Sequence, residues 1–178
     1  MTDTPRSISR IASLMPGLQT ALQCIFFYNQ IMKGNEKLLI KTAKPSFTRA
    51  AFIPETLAGA LALAVSDKGL ARLFFCGRNG YVHFLADHDL AEGSPADGLL
   101  GEAVSQVNEY FNGQRKVFDL PLDLSGQSPF REKALRQCAR IPFGQTITYG
   151  ELADRAGHPK AARAAGGAMA NNPIALVI

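Results

Sequence analysis

The run from Lys160 to Met169 combines two long cations with a series of very small side chains. Alanine dominates it, so it predicts a helix whose long polar groups are Lys160 and Arg163. A helix that reads base edges in the major groove needs several Asn, Gln, Arg or Ser side chains, and this run offers mainly Arg163. A slim helix with one long cation instead suits sequence-independent contact in the minor groove, with Arg163 as a wedge. Tight packing on a neighbouring helix would explain the small residues equally well; they are Ala161, Ala162, Ala164, Ala165, Gly166, Gly167 and Ala168.

A second helix and a turn are expected to position this run. Thr148 predicts a helix N-terminus, because Glu151 follows three residues later and completes a capping box. That helix is expected to reach Gly157, and the turn His158-Pro159 then leads into the helix that begins at Lys160. Two helices joined by a tight turn that contains glycine form a helix-turn-helix, in which the second helix is presented to a duplex.

The segments on either side of this pair also carry clear signals. Ser128 predicts a capped helix that begins at Pro129 and ends near Arg140. Cys138 falls on the buried face of that helix and is interpreted as a core residue, since a reactive cysteine needs an electropositive and accessible setting. The apolar run 174–178 predicts a strand.

Charge is distributed unevenly along the 178 residues, whose net charge is +4. Seven Lys and Arg against two acidic residues give +5 for 1–50, five against ten give −5 for 51–127, and seven against three give +4 for 128–178. An acidic middle followed by a basic end indicates two parts with different partners, and the basic end is where a polyanion would bind. We therefore predict a basic extension over 1–50, one domain over 51–125 and a DNA-binding domain over 126–178.

The residues before 125 show patterns typical of strands, turns and a helix. Apolar runs on both sides of the turn 66–69 predict a hairpin, and Tyr81–Leu85 predicts a third strand. Apolar residues at intervals of three and four predict an amphipathic helix over 99–111, whereas 118–124 predicts an edge strand or an extended linker. Residues 18–32 have helical spacing, within an extension that we interpret as accessory rather than as a DNA-binding arm.

The cysteines and histidines show no spacing typical of a metal site. The three Cys lie far apart without a CxxC pair, and the three His show no ligand spacing with them, so no metal and no other cofactor is expected. This cysteine usage indicates a reducing compartment, which predicts a cytoplasmic or nucleoid-associated protein. The apolar tract 18–32 is interrupted by Gln and Asn and is too short to span a bilayer, so no membrane partner is expected. We expect a monomer.

A family resemblance rests on two runs, IPFGQTITYGELA from Ile141 and GHPKAARAAGGAMANNP from Gly157. They look like the DNA-binding domain of the O6-alkylguanine-DNA alkyltransferases, also called methylated-DNA-protein-cysteine methyltransferases. A weaker resemblance extends back through EYFNGQRKVFDLPLDLSG and ETLAGALALAVSDKGLARLFF, so it covers about residues 51–178. It implies an α+β fold, with a small ribonuclease-H-like α/β domain followed by a helical, winged-helix-like domain that binds the minor groove. It also implies DNA repair, in which O6-alkylguanine is flipped out of double-stranded DNA and its alkyl group passes irreversibly to a protein cysteine.

The resemblance assigns roles to individual residues. Arg163 matches the arginine that enters the stack in place of the flipped base, and Tyr149 matches the tyrosine that crowds the target phosphate and helps to rotate the nucleotide. Met169 matches a residue that lines the base pocket, and Asn172 matches an asparagine that supports the reactive loop. Lys160 is expected to contact DNA, and a slim face against the groove is implied for Ala161, Ala162, Gly166 and Gly167.

One departure from the family concerns the reactive motif, Pro-Cys-His-Arg. The motif would follow the run 174–178, and the 178 residues do not contain it. Neither Cys76 nor Cys138 matches the family's nucleophile, so residues 1–178 alone are not expected to transfer alkyl groups. The leading interpretation is a DNA-repair methyltransferase represented by a shortened chain. The alternatives are a non-catalytic lesion-binding protein with another residue at the cysteine position, and an inactive remnant or DNA-binding regulator. The codons that follow Ile178 would separate the first two interpretations.

Overall fold

The computed structural model describes residues 46–94 and 98–178. Its sheet has three antiparallel strands in the order β1-β2-β3: β1 spans Arg49–Ile53, β2 spans Leu61–Ser66 and β3 spans Gly69–Phe75. The central strand β2 is buried along its whole length, which is why its sequence is almost entirely apolar. The predicted hairpin is confirmed, with Ser66 paired to Gly69 across the turn. The strand β1 crosses the position between 50 and 51 at which the sequence placed a domain boundary.

Side chains of alternating size give the two faces of the sheet different partners. Leu61, Leu63 and Val65 of β2 pack in one core with the helix α2, which spans Gly98–Phe111. The intervening Ala62 and Ala64 face the helix α1, which spans Arg78–His88. Because successive strand residues point to opposite faces, leucine fills one side and alanine leaves room for aromatic rings on the other. These rings belong to Tyr81 and Phe84 of α1 and to Phe52 and Phe74 of the sheet.

The strand predicted for Tyr81–Leu85 is wrong, because these residues lie inside α1. Gly77 is the extended N-cap of this helix, and Gly80 lies in its first turn. Tyr81 and Phe84 are buried three positions apart, which places both on the face towards the sheet. The tertiary contact with the alanine face of β2 therefore overrides the weak strand pattern.

Two extended segments cover the outer edge of β3. The Leu70 N–H donates to the Pro121 carbonyl at 2.7 Å, and the Asp123 N–H donates to the Leu70 carbonyl at 2.9 Å. Further along, the Leu73 N–H donates to the Pro173 carbonyl at 3.0 Å, and the Ala175 N–H donates to the Leu73 carbonyl at 2.9 Å. The sequence predicted either an edge strand or an extended linker for 118–124. The structure shows the extended linker, which forms a single bridge with β3. Both segments satisfy backbone groups that an open sheet edge would expose.

A buried polar contact attaches this linker to the hairpin. The Ser66 hydroxyl donates to an Asp123 carboxylate oxygen at 2.5 Å, and the Ser125 N–H donates to the other oxygen at 2.8 Å. Burial opposes ionisation of Asp123, but the hydrogen bonds from Ser125 and Ser66 outweigh it and hold the pKa of this carboxyl below its usual value. The linker that leads to the helical part of the chain is therefore fixed to the sheet.

Three helices follow the linker: α3 spans Pro129–Cys138, α4 spans Tyr149–Arg155 and α5 spans Ala162–Ala170. The predicted start of α3 is confirmed, since the Arg131 N–H donates to the Ser128 hydroxyl at 3.4 Å. Small and apolar side chains with less than 3% exposure fill the space between the three helices; they are Ala134, Leu152, Ala153, Ala165 and Ala168. The small residues of α5 were compatible with close helix packing as well as with contact to DNA. On one side of α5 they do pack closely against the neighbouring helices.

Three further expectations meet different outcomes. The helix α5 begins at Ala162, because Lys160 has a φ of 73° and belongs to the preceding turn. The strand predicted for 174–178 is wrong: Ile174 forms one bridge with Leu73, and the chain then turns back so that the Ile178 N–H donates to the Ile174 carbonyl at 3.1 Å. The helix predicted over 18–32 lies outside the described residues.

Candidate nucleic-acid interface

The helix α5 has one buried face and one flat, exposed face. Ala165 and Ala168 are almost fully buried against α3 and α4. On the opposite side, an exposed face comprises Arg163, Ala164, Gly167 and Ala170. Positions 163, 167 and 170 follow the spacing of one helical face, so these residues lie on one side of α5. Arg163 is the one residue of this face with a side chain longer than a methyl group.

The Arg163 guanidinium projects from this face without an internal partner. Within residues 46–94 and 98–178 it forms no hydrogen bond, ion pair or ring contact. By contrast, Arg115 donates to Glu109 at 2.7 Å, and Arg78 forms two 3.0 Å hydrogen bonds with Glu92. A free guanidinium on a flat surface is available to an external anion or to the space between two stacked bases.

Tyr149 lies beside α5 as the first residue of α4. Its side chain is 56% exposed, an unusual exposure for a large aromatic residue. One side of its ring rests on Gly166, where an added Cβ would lie 3.2 Å from the ring carbon Cδ2. Gly167 is different, because an added Cβ there would meet nothing within 4 Å. The two adjacent glycines, which the sequence assigned to one slim face, therefore have different surroundings.

The capping box predicted at Thr148 is confirmed, and it fixes the backbone next to Tyr149. The Thr148 N–H donates to a Glu151 carboxylate oxygen at 2.6 Å, and the Glu151 N–H donates to the Thr148 hydroxyl at 3.1 Å. Hydrogen bonds from the Thr148 backbone N–H and then from its hydroxyl hold the pKa of Glu151 below its usual value. The carboxylate form on which the capping box depends is therefore favoured.

The turn before α5 places three more of the predicted residues. Lys160 is exposed in this turn, and Ala161 is the N-cap of α5. Ala161 is half-buried against Leu152 of α4 and does not join the exposed face, and Ala162 is half-buried as well. No side chain caps the first turn of α5 within the described residues, so its backbone N–H groups are free to bind an anion.

Met169 and Asn172 both point inwards at the end of α5. Met169 is half-buried and packs against all of the apolar clusters that surround α5. The Asn172 amide is buried, donates to the Ile178 carbonyl at 2.7 Å and accepts from the Ile174 N–H at 2.9 Å. Asn172 thus fixes the turn that follows α5, and Met169 fills the space behind it.

The structure adds residues that were not selected from the sequence. Ala164 and Ala170 belong to the exposed face, and counting helical positions from Arg163 would have found both. Arg131 of α3 donates to the Asn171 carbonyl at 2.9 Å, and Asn171 in turn donates from its side chain to the Gly167 carbonyl at 2.8 Å. No local pattern indicates this contact, since Arg131 and Asn171 lie 40 positions apart.

The two cysteines within the described residues are both half-buried. Cys138 is half-buried beside the apolar cluster of Leu152, Ala153 and Ala165, in agreement with its predicted core position. Cys76 is half-buried under α1, and burial raises the pKa of its thiol to about 11. With a pKa of about 11 the Cys76 thiol remains protonated near neutral pH, and only the thiolate is a good nucleophile.

This burial predicts slow thiol chemistry at Cys76. At pH 8, iodoacetamide is expected to alkylate Cys76 about 10²-fold more slowly than an unhindered thiol, because a pKa raised to about 11 leaves very little thiolate. Mass spectrometry of the Cys76 peptide over time measures the rate. The same peptide in urea-unfolded protein is the control and should react at the ordinary rate. Equal rates in the native and unfolded states would contradict the burial.

Comparison with known proteins places these elements in a family. A family model described as the DNA binding domain of 6-O-methylguanine DNA methyltransferase matches residues 129–178, and its ribonuclease-like domain matches residues 49–124. The constitutive methylated-DNA–protein-cysteine methyltransferase of Bacillus subtilis is 35% identical over 124 residues, which cover 70% of this chain and 73% of the relative. The chain belongs to the 6-O-methylguanine DNA methyltransferase family.

Mycobacterial relatives give the same family assignment. The methylated-DNA–protein-cysteine methyltransferase of Mycobacterium tuberculosis H37Rv is 44% identical over 85 residues, which cover 48% of this chain and 51% of that protein. The chain thus spans about half the length of this curated relative. A crystal structure of Mycobacterium tuberculosis O6-methylguanine methyltransferase aligns with a TM-score of 0.59 at 33% identity over 72% of this chain and 73% of that one. The structure of Mycobacterium tuberculosis OGT in complex with DNA aligns with a TM-score of 0.55 at 33% identity over 73% and 74% of the two chains.

The family assignment confirms the predicted fold class. A ribonuclease-like domain contributes the three-stranded sheet with α1 and α2, and a helical domain contributes α3, α4 and α5. In the parts of the chain that the structure describes, no helix has the length and hydropathy needed to cross a membrane. The same residues contain no group of three or more His, Cys, Asp or Glu side chains that could hold a metal ion.

Proposed function

We propose that this chain is a DNA-repair protein that binds the minor groove of double-stranded DNA and flips O6-alkylguanine out of the stack. The observation that carries the proposal is the exposed face of α5, which is flat except for the unpaired Arg163. The minor groove is about 6 Å wide, so an ordinary helix with long side chains fits poorly, whereas a face of alanine and glycine can come close to the groove. The DNA complex of the Mycobacterium tuberculosis relative supports the same partner.

Binding would rest on contacts to phosphates rather than to base edges. The uncapped first turn of α5 offers backbone N–H groups, and Lys160 in the preceding turn adds a positive charge. The face carries no Asn or Gln that could read a base, so affinity is expected to depend little on sequence. This lack of sequence preference suits a repair protein, because a damaged guanine can occur in any sequence.

In this proposal, Arg163 and Tyr149 act on the target nucleotide from neighbouring positions. Extrusion of a base costs a few kcal/mol of stacking and pairing, and Arg163 would offset part of that cost by filling the space. Tyr149 lies on the same side of the helix pair, with its phenol hydroxyl free of internal hydrogen bonds within the described residues. It would press against the target phosphate and favour the rotated nucleotide.

The alkyl transfer itself needs a thiolate. Its sulfur attacks the alkyl carbon, a new S–C bond forms as the C–O6 bond breaks, and the guanine leaves and takes up a proton. Cys76 lies under α1 with a raised thiol pKa, and Cys138 is half-buried beside the apolar cluster between α4 and α5, so we do not assign this role to either. After incubation with a duplex that carries radiolabelled O6-methylguanine, the peptides of Cys76 and Cys138 are expected to be unlabelled. A label on either peptide would contradict their structural role.

Salt-dependent binding tests the DNA partner directly. Fluorescence anisotropy with a short duplex, with and without O6-methylguanine, should show affinity that decreases as salt increases. If Lys160 and Arg163 each neutralise one phosphate, log K should decrease with log[salt] with a slope of about −2. Lys160→Ala should make this slope shallower by about one. Binding that does not respond to salt, or no binding to either duplex, would reject the proposal.

A further inference from the structure

The adjacent glycines of α5 differ in what surrounds them. A Cβ added to Gly166 would lie 3.2 and 3.3 Å from ring carbons Cδ2 and Cε2 of Tyr149, whereas a Cβ on Gly167 would meet nothing within 4 Å. Carbon atoms that are not bonded prefer a separation of about 3.5–4.0 Å. An alanine at 166 would therefore displace the Tyr149 ring by a few tenths of an ångström, and an alanine at 167 would not.

Backbone conformation does not require a glycine at either position. Both residues lie inside α5, and neither has a positive φ. A glycine in a helix is less favourable than an alanine, because it loses more backbone freedom on folding. At Gly166 a glycine is needed because the Tyr149 ring occupies the space that a Cβ would fill.

The Tyr149 side chain has few other restraints. More than half of it is exposed, and within the described residues it makes no hydrogen bond and no ring contact. Its backbone is fixed, because the capping box between Thr148 and Glu151 holds the first turn of α4. With the backbone fixed and the hydroxyl free, the contact with Gly166 determines where the ring lies.

We propose that Gly166 is a positioning residue, whose missing side chain forms a seat on α5 that holds the Tyr149 ring in place before DNA arrives. The consequence for base rotation rests on the proposed function, whereas the seat itself exists in the free protein. A side chain that is already in place does not lose rotamer freedom when it binds. More of the binding free energy from the contact of Tyr149 with the target phosphate then favours the rotated nucleotide.

Thermal unfolding tests the seat without DNA. Gly167→Ala should raise Tm by about 2–4 °C, the gain expected when an exposed helical glycine is replaced in a protein of this size. Gly166→Ala should give a smaller rise, or a decrease, while Tyr149 is present. In a Tyr149→Ala background, Gly166→Ala should recover the full rise, because the ring no longer occupies the space. Equal rises for Gly166→Ala in the two backgrounds would overturn the seat.

Base extrusion tests the consequence for function. The test uses a duplex with a fluorescent analogue at the target position and a saturating concentration of protein. The Gly166→Ala variant should extrude about threefold to fivefold less base than the native chain. A displacement of about 1 Å can cost about 10²-fold, and the Tyr149 ring would move by only a few tenths of an ångström. Gly150→Ala, whose added Cβ would make only an ordinary 3.6 Å contact with the Thr148 hydroxyl, is the control and should match the native chain at saturation. An unchanged extruded fraction for Gly166→Ala would contradict the positioning role. If the native chain extrudes no base, the proposed function fails, and the unfolding comparison still decides whether the seat exists.

Discussion

Replacement of Arg163 by alanine is expected to reduce base extrusion on the order of 10²-fold. The guanidinium projects from a face otherwise built of alanine and glycine, so no neighbouring side chain of that face can fill the gap that a flipped base leaves. Extrusion costs a few kcal/mol, and each loss of about 1.4 kcal/mol of compensation lowers the extruded population about tenfold. A duplex with a fluorescent base analogue at the target position measures the extruded fraction directly.

Two matched variants separate the shape of Arg163 from its charge. Arg140→Ala removes the same charge from an exposed arginine beyond the end of α3 and should reduce affinity slightly without lowering the extruded fraction at saturation. Arg163→Lys retains the charge but loses the planar group that can stack between bases, so it should fall between native and alanine. Equal extrusion by Arg163→Ala and the native chain at saturation would reject the wedge role.

Replacement of Ile174 by alanine is expected to lower the free energy of unfolding by about 2–5 kcal/mol, the cost of truncating a large, fully buried side chain. Ile174 is 0% exposed in the core shared by the sheet and α2, and its backbone forms a bridge with Leu73 of β3. Because total stability is commonly about 5–15 kcal/mol, the loss would be a large fraction of it. Urea unfolding followed by circular dichroism measures the change.

The same variant has a local readout and a local control. Hydrogen exchange at the Leu73 amide should accelerate more than exchange within β2, since that amide donates to the Pro173 carbonyl next to Ile174. Val177→Ala lies on the same segment but is half-buried, and it should cost only about 1 kcal/mol. Equal losses for the two variants would show that Ile174 does not anchor the segment to the sheet.

Signals that act over a few residues were sufficient for much of the helical half. Thr148 and Glu151 form the capping box that their three-residue spacing predicted, and Ser128 caps α3 as expected. The hairpin around residues 66–69 formed for the same reason, because turn residues between apolar runs restrict the chain locally. The sequence runs that carry the family resemblance also indicated the fold class, which the family models confirm.

Where the decisive contact is distant in the sequence, the local pattern gave a wrong or incomplete answer. Tyr81–Leu85 has the composition of a strand but forms part of α1, because Ala62 and Ala64 of β2 leave space for its rings. The run 174–178 has a strand's composition too, yet it makes a single bridge with Leu73 and then turns. In both cases a neighbour from another part of the chain decided the conformation.

The sequence by itself determined that a slim helix containing one arginine follows a capped helix, because helix propensity and capping depend on neighbouring residues. Only the tertiary structure decided which side of that helix is exposed. Packing of Ala165 and Ala168 against α3 and α4 turns Arg163 and Gly167 outwards, and the position of Tyr149 gives Gly166 a separate role. Neighbouring alanine and glycine residues of α5 therefore differ in their surroundings, because their burial is set by the partner helices and not by α5 itself.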